Sequence, residues 1–248
     1  MSFELARQEE PLFPEVEFSR PERKMGKVAV IGGSGAGVAA ESRAYERALL
    51  LGAEEVQAIL PGDGQYFKMA DKEAIAAAFA WADGVLLLGD LGRNAETAQV
   101  LSTVLEEAVA DDSLPKRLLI TRDAVDVLLA KLPDLLDRPE VMLVLTFSQL
   151  QKLFKEVLYP KVLVMSLPLP TLADILHKFT LSYNVCIATV FNQELLVASG
   201  GEVTATNLVI TNYNPLTVWS GDLAVAGLMY WVWGNMSLKS VTAASILA

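Results

Sequence analysis

Segments of strand character alternate with segments of helical character through most of this 248-residue chain. Short apolar runs, typical of buried strands, are each followed by a stretch in which apolar residues recur with a helical period. The predicted strands are 27–31, 56–60, 84–88, 117–121, 141–147, 161–165, 185–190, 195–198 and 202–205, and the predicted helices are 37–51, 71–81, 94–110, 123–131, 148–158, 171–181, 222–233 and 237–247. This order predicts an α/β fold with a mainly parallel sheet and helices on both of its faces.

The last three predicted strands follow one another without an intervening helix. Gly200-Gly201 separates the final two and predicts a hairpin turn, so we expect late antiparallel edge strands. Residues 1–25 contain three prolines and lack helical periodicity, which predicts an extended N-terminal arm. Residues 26–248 are predicted to form a single domain.

Charge and rare residues exclude several classes of function. A net charge of −10 argues against nucleic acid and anionic membrane surfaces as partners. Cys186 is the only cysteine and His177 the only histidine, which excludes an intrachain disulfide and a multi-histidine metal centre, and no metal ligands are predicted. Together with residues 1–25, which do not resemble a signal peptide, this predicts a cytoplasmic protein. The longest apolar stretch, 223–233, is about half the length of a membrane span.

A glycine-rich turn, Gly32-Gly33-Ser34-Gly35-Ala36-Gly37, follows the first predicted strand. Ligands of open α/β sheets bind at the carboxyl ends of the strands, so this turn is a candidate site. Gly33-x-Gly35 matches the start of a dinucleotide-binding loop, but Val38 stands at the third glycine position and no acid ends the second strand. The alternative is a tight strand-to-helix crossover.

Two further candidate loops follow later strands. Gly89-Asp90-Leu91-Gly92-Arg93 comes after the third, where Asp90 either lines a pocket or stabilises a turn. Asp123 comes after the fourth, where capping of the next helix is a sufficient explanation.

Near the C-terminus, Ser220-Gly221-Asp222 opens an apolar helix. Backbone N–H groups at a helix N-terminus attract phosphate, and an acid in that position can accept a proton from a substrate hydroxyl. Capping of the helix by Asp222 is the alternative.

The order of these loops resembles the ADP- or ATP-dependent NAD(P)H-hydrate dehydratase family of the ribokinase-like superfamily. The likeness extends from about Arg23 to the end of the chain. The segments that carry it are Gly32-Gly33-Ser34 leading to Gly52-Ala53, Gly89-Asp90-Leu91-Gly92-Arg93, Asp123-Ala124-Val125, Asn214-Pro215 and Ser220-Gly221-Asp222 followed by Ala226-Gly227. The resemblance implies a three-layer αβα sandwich of the ribokinase-like type.

The resemblance also implies a reaction and its site. Nucleotide-driven dehydration of hydrated NADH or NADPH would use ATP or ADP together with Mg²⁺, with Asp222 taking the proton from the substrate hydroxyl. The implied residues are Asp222 as the catalytic one, Asn214, Ser220 and Gly221 for nucleotide and phosphate, and Gly33, Ser34, Gly89, Asp90, Gly92 and Asp123 for the NAD(P)H-like substrate.

The chain departs from that family at two segments. Its His-Pro-x-Glu segment is absent from 146–150, and its phosphate-facing Lys is absent from 188–190. These differences suggest a second hypothesis, a non-catalytic nucleotide-binding or scaffold relative; a third is a small-molecule kinase of the same superfamily. The aromatic residues Trp219, Tyr230, Trp231 and Trp233 fit a buried helix or a homo-oligomer interface, and we expect a homo-oligomer.

Overall fold

The computed structural model describes residues 6–8, 24–92, 94–207 and 222–237. The strands within these ranges are β1 (Ala6–Gln8), β2 (Lys27–Ile31), β3 (Glu55–Ile59), β4 (Gly84–Leu87), β5 (Leu118–Thr121), β6 (Val141–Thr146), β7 (Cys186–Phe191), β8 (Glu194–Ser199) and β9 (Glu202–Asn207). The α-helices are α1 (Ala39–Leu51), α2 (Lys72–Trp81), α3 (Ala95–Ala110), α4 (Asp123–Val127), α5 (Phe147–Glu156), α6 (Leu169–Ser182) and α7 (Asp222–Val232).

The strands form one sheet in the order β1-β9-β8-β7-β6-β5-β4-β2-β3. Every neighbouring pair from β3 to β7 is parallel, whereas β8 runs antiparallel to both β7 and β9. This confirms the expected mostly parallel sheet with late antiparallel strands. The short β1 pairs in parallel with β9 and so forms the outermost strand on that side.

Strand sequences explain the buried position of the sheet. The residues of β4 and β5 are all buried, as expected for central strands that are covered by helices on both faces. Gly200 and Gly201 join β8 to β9 with φ values of +56° and +83°, a conformation that glycine adopts without strain. The predicted hairpin is therefore confirmed.

Helices cover both faces of the sheet and complete three layers. Helices α1 and α7 pack on one face, and α2 to α6 pack on the other. Helix α7 is apolar on all sides because it lies between α1 and the sheet. Tyr230, Trp231 and Trp233 are buried there, which confirms the buried-helix explanation for these three residues. Trp219 lies outside the described residues, as does the predicted helix 237–247 beyond its first residue.

The predicted strand at 161–165 is wrong. These residues belong to an irregular connection between α5 and α6, in which Val162 is 83% and Met165 64% exposed. Strand β6 pairs directly with β7, so the sheet has no place for another strand between them. Leu163 alone in this run is buried, and its carbonyl accepts a hydrogen bond from Gln151 Nε2 at 2.9 Å.

No helix in the described ranges is both long enough and apolar enough to cross a membrane.

Candidate functional site

Three of the predicted loops meet at the carboxyl edge of the sheet, because β2, β4 and β5 are adjacent and parallel. Gly33 N–H donates to the carbonyl oxygen of Gly89 at 2.8 Å. The N–H groups of Asp90 and Leu91 donate to the two carboxylate oxygens of Asp123 at 2.8 and 3.0 Å. The structure therefore brings together the loops that contain the substrate-binding residues predicted from the sequence.

The turn after β2 uses all of its own backbone donors. Every backbone N–H from residue 32 to residue 37 donates to an acceptor within the protein. The first four donate to the carbonyl oxygens of Ile59, Gly89, Gly37 and Gln65, in that order. The N–H groups of Ala36 and Gly37 donate to Ser34 Oγ and Ser34 O. A phosphate-binding loop must present free N–H groups to its ligand. This turn offers none at these positions, so the geometry favours the tight crossover over the dinucleotide-binding loop.

Ser34 and Gly92 hold two of the loops against each other. Ser34 is 7% exposed, and its Oγ accepts the hydrogen bond from Ala36 N–H at 3.3 Å. Gly92 has a φ of +69°, and a Cβ at that position would lie 3.8 Å from Ser34 Oγ. Both predicted residues are thus part of the packed edge.

Asp90 and Arg122 have unusual backbone conformations, with φ values of +53° and +54°. Arg122 Nη2 donates to Asp90 Oδ1 at 2.9 Å, and each side chain is 26% exposed. Non-glycine residues with positive φ are uncommon and cluster at functional sites, where the surrounding structure holds them. The strain at this pair therefore supports the interpretation of Asp90 as a pocket residue over that of a simple turn.

The 146–150 segment, where the family motif is missing, contacts the backbone of Arg122 through Gln149. Thr146 and Gln149 form a capping box at the start of α5. Gln149 Nε2 also donates to Arg122 O at 2.7 Å and to Asp126 Oδ2 at 2.8 Å. Arg122 and Gln149 were not predicted as site residues, because nothing in the local sequence indicates that they meet.

Glu41 is the clearest functional candidate that the sequence interpretation missed. It lies in the first turn of α1 and is 1% exposed, and neither carboxylate oxygen has a hydrogen-bond partner. A Cβ on Gly32 would lie 2.4 Å from Glu41 Oε1 and 2.6 Å from Gly89 O, which shows how closely the carboxyl group approaches the glycine turn. One signal was available: Glu41 occupies the same inner face of α1 as the buried Ala44 and Ala48.

Burial raises the pKa of Glu41 to about 7. The dipole of the residue's own backbone N–H, which lies near the carboxylate without the geometry of a hydrogen bond, lowers the pKa, and the nearby Asp90 carboxylate raises it. Arg122 lowers the pKa and Asp123 raises it to a smaller extent. At neutral pH a substantial fraction of this side chain is therefore an uncharged carboxylic acid.

The nucleotide half of the predicted site is described only at Asp222, where α7 begins. Asn214, Ser220 and Gly221 lie outside the described residues. The C-terminal turn of α7 lies at the amino edge of the sheet, since Cβ atoms on Gly26 and Gly84 would meet Val232 side-chain atoms at 2.3 and 2.6 Å. Asp222 is therefore at the end of α7 that is remote from this amino-edge contact.

Among the described residues, no three or more His, Cys, Asp or Glu side chains are grouped so that they could hold a metal ion. Cys186 is buried, and burial raises the pKa of its thiol to about 12, so it is not a thiolate ligand or nucleophile at neutral pH.

Comparison with solved structures shows the class of fold. No protein-family model matches the sequence, and no curated protein matches it. A ribokinase-like superfamily protein of Enterococcus faecalis V583 superimposes with a TM-score of 0.76 at 18% identity, over 100% of this chain and 87% of that one. The ADP/ATP-dependent NAD(P)H-hydrate dehydratase of Bacillus subtilis, co-crystallised with ATP/Mg²⁺, gives 0.54 at 12% over 92% and 82%. Bacillus subtilis pyridoxal kinase, in an ADP complex, gives 0.54 at 15% over 89% of each chain.

These likenesses show that the chain has a ribokinase-like three-layer α/β sandwich.

Proposed function

We propose that this chain is a nucleotide-dependent enzyme that activates a small-molecule hydroxyl by phosphoryl transfer, and that its substrate is hydrated NADH or NADPH. The observation that carries the proposal is the junction of the 32–37, 89–92 and 122–123 loops at one sheet edge, linked by Gly33–Gly89 and Asp90–Asp123 hydrogen bonds. Ligands of open parallel sheets bind at this edge.

Charge divides the proposed site into two halves. The described loops carry the carboxylates of Asp90 and Asp123 with the guanidinium of Arg122, and Glu41 lies beneath them. The 32–37 turn has no free N–H for phosphate. This half therefore suits the uncharged, hydroxyl-bearing nicotinamide end of the substrate, and the transferred phosphates of the nucleotide are assigned to the 220–222 segment at the N-terminus of α7, which is a favourable site for anions.

The direction of α7 supports the position of the catalytic acid. An α-helix of 11 residues is about 16 Å long, and its C-terminal Val232 lies near Gly26 and Gly84 at the amino edge. A helix that crosses the sheet from that contact carries Asp222 toward the carboxyl edge. On this basis we propose that Asp222 lies in the same region as the three substrate loops.

In the proposed mechanism, Asp222 accepts the proton of the substrate hydroxyl as that oxygen attacks the terminal phosphoryl group of ATP or ADP. The transferred phosphoryl group converts the hydroxyl into a leaving group. Cleavage of the carbon–oxygen bond and loss of a proton from the adjacent carbon restore the double bond of the reduced nicotinamide ring and release phosphate. The N–H groups of Ser220, Gly221 and Asp222 would stabilise the developing phosphate charge.

Magnesium enters the proposal with the nucleotide. Mg²⁺ in such reactions is held chiefly by phosphate oxygens and water with one or two carboxylates. The ion would neutralise phosphate charge during transfer.

A small-molecule kinase is the second candidate, because the fold is equally similar to Bacillus subtilis pyridoxal kinase, at a TM-score of 0.54. A kinase would make the same transfer but release the phosphate ester. A non-catalytic relative is the third, since the phosphate-facing Lys of the dehydratases is missing near Ala188-Thr189-Val190.

One assay separates the three candidates. The full chain is incubated with hydrated NADH and Mg²⁺ plus either ATP or ADP, while absorbance at 340 nm reports NADH and chromatography reports phosphate esters. A dehydratase restores absorbance; a parallel reaction with pyridoxal in place of hydrated NADH accumulates a phosphate ester if the chain is a kinase of that kind; and a non-catalytic relative does neither. We expect restored absorbance, and its loss in Asp222→Asn by a factor of about 1,000 or more.

Asp111→Asn is the control for that variant, since Asp111 is exposed at the C-terminal end of α3, a helix that begins just after the 89–92 loop and leads away from it. Equal rates for Asp222→Asn and the wild type would contradict the proposed role of Asp222.

We also propose that the protein is a homo-oligomer. Light scattering of the full chain tests this, and a measured mass equal to one chain would contradict it.

A further inference from the structure

Glu41 lies directly beneath an exposed apolar pair at the carboxyl edge of the sheet. A Cβ built on Gly33 would meet Leu60 Cδ2 at 3.0 Å, Val38 Cγ1 at 3.1 Å and Glu41 Oε2 at 3.7 Å. Val38 and Leu60 are 40% and 41% exposed, whereas Glu41 is 1% exposed. Because Gly33 has no side chain, the apolar side chains of Val38 and Leu60 lie close to the buried carboxyl group of Glu41.

The buried carboxyl group of Glu41 lowers the stability of the folded chain. Leaving a buried polar group without a hydrogen-bond partner costs about 1–3 kcal/mol, and native proteins contain few such groups. The neighbouring inner positions of α1 are Ala40, Ala44 and Ala48, so an apolar residue at position 41 would continue the pattern. A polar side chain that is unpartnered in the absence of a ligand, at a ligand-binding edge, indicates that a ligand supplies the partner.

We propose that Glu41 recognises, as a neutral carboxylic acid, a carboxamide on an uncharged, partly saturated ring, where the amide N–H donor lies beside the carbonyl acceptor. This inference rests on the proposed function, because hydrated NADH and NADPH carry such a carboxamide. It goes further by assigning the contact to a residue that the resemblance did not implicate.

The chemistry of the neutral acid fits this ligand. A protonated carboxyl group presents one O–H donor and one carbonyl acceptor side by side, which pair with the N–H and C=O of a carboxamide. Its raised pKa of about 7 keeps much of the group protonated at neutral pH. The groups that face it are the carboxylates of Asp90 and Asp123 and the guanidinium of Arg122, which is already paired with Asp90, so the surroundings do not call for a negatively charged substituent on the ring.

The apolar pair supplies the second part of the contact. The apolar face of the substrate ring packs on Val38 and Leu60, which would then lose their exposure to water. To meet the ring substituent, the carboxyl group would turn outward past Gly33 by rotation of its side chain.

The test compares Glu41→Gln and Glu41→Ala with the wild type. The dissociation constant of hydrated NADH is measured by calorimetry at pH 6 and pH 8, with a non-hydrolysable ATP analogue present. Since only the protonated acid binds, the wild type should lose affinity about tenfold between these pH values. Glu41→Gln should bind equally at both, because an amide keeps a donor beside an acceptor and has no proton to lose. Glu41→Ala should bind at least about tenfold more weakly than the wild type at pH 6.

Glu46→Gln is the matched control, since Glu46 is an exposed acid on the same helix. It should follow the wild type at both pH values. Thermal unfolding verifies that each variant is folded before binding is measured.

Two results would overturn the inference while the proposed function stands: wild-type affinity in Glu41→Ala, or an unchanged pH dependence in Glu41→Gln. If the wild type restores NADH but neither variant alters binding, Glu41 is a structural residue. If the wild type does not bind hydrated NADH at all, both the inference and the proposed substrate are wrong.

Discussion

The 32–37 turn and the 89–92 loop lie side by side at the same sheet edge, but different forces hold them. In the turn, main-chain carbonyls or the turn's own Ser34 accept every N–H. In the loop, the carboxylate of Asp123 accepts the N–H groups of Asp90 and Leu91, from more than 30 residues away in sequence. The turn is held by main-chain acceptors, of which Ile59, Gly89 and Gln65 are also distant in sequence, whereas the loop is held by the side chain of Asp123.

This difference bears on function. A turn whose donors are all used is rigid and offers a ligand shape more than hydrogen bonds. A loop that depends on the Asp123 carboxylate and on the strained Asp90–Arg122 pair can respond to a charge placed beside it. We therefore expect substitutions in the turn to affect folding most, and those in the loop to affect ligand binding more than folding.

The strongest expected effect is that of Gly32→Ala. The new Cβ would lie 2.6 Å from the carbonyl oxygen of Gly89, a backbone atom, and 2.4 Å from Glu41 Oε1. Because a backbone atom of an adjacent loop cannot move aside without breaking the edge, we expect a loss of about 3 kcal/mol or more of unfolding free energy, measured by urea denaturation.

Gly37→Ala is the matched control in the same turn, since no atom lies within 4 Å of the position that its new Cβ would take. Its unfolding free energy should stay within about 0.5 kcal/mol of the wild type. Similar losses in both variants would mean that contact with the 89–92 loop does not determine the stability of the turn.

The second effect is the pH dependence of stability that Glu41 creates. Its pKa is about 7 in the folded chain against an ordinary value of 4.5, so the folded state retains the proton to higher pH than the unfolded state does. The stability that the protonated group gives the folded chain is fully present below pH 4.5 and is lost as pH rises through 7. The total loss of unfolding free energy is about 3 kcal/mol. Glu41→Gln removes this loss.

The measurement is the difference in unfolding free energy between Glu41→Gln and the wild type from pH 4.5 to pH 8. It should grow in favour of the variant as the pH rises, whereas Glu46→Gln should show no such trend. A constant difference for Glu41→Gln would mean that the carboxyl group ionises normally and is hydrated in the folded chain.

The comparison also explains how much could be predicted from the sequence. The mostly parallel sheet and its late antiparallel strands follow from apolar runs and glycines, which act locally, and both are confirmed. The strand predicted at 161–165 is wrong because Val162, Leu163 and Val164 have a strand-like composition, while the place beside β6 is taken by β7. Local composition does not indicate which segment pairs with β6.

The missed site residues share one cause. Glu41 is buried by the packing of the glycine turn over α1, and Arg122 is held by Gln149 and Asp90, each about 30 residues away in sequence. No short motif encodes such contacts. Asn214, Ser220 and Gly221 lie outside the described residues, so their predicted contact with nucleotide stays a prediction.

The smallest expected effect on folding is that of Asp123→Asn, which tests the loop held by side chains. An amide keeps one oxygen to accept from Asp90 or Leu91 N–H but presents a donor to the other, so about 2 kcal/mol of stability should be lost. The loop then loses the contact that holds Asp90 in its strained conformation.

Because Asp90 lies among the proposed substrate contacts, the Michaelis constant of Asp123→Asn for hydrated NADH should rise more than its Michaelis constant for nucleotide. Asp111→Asn serves as the control, and equal increases in both constants would show that Asp123 supports the whole fold and not the substrate half of the site.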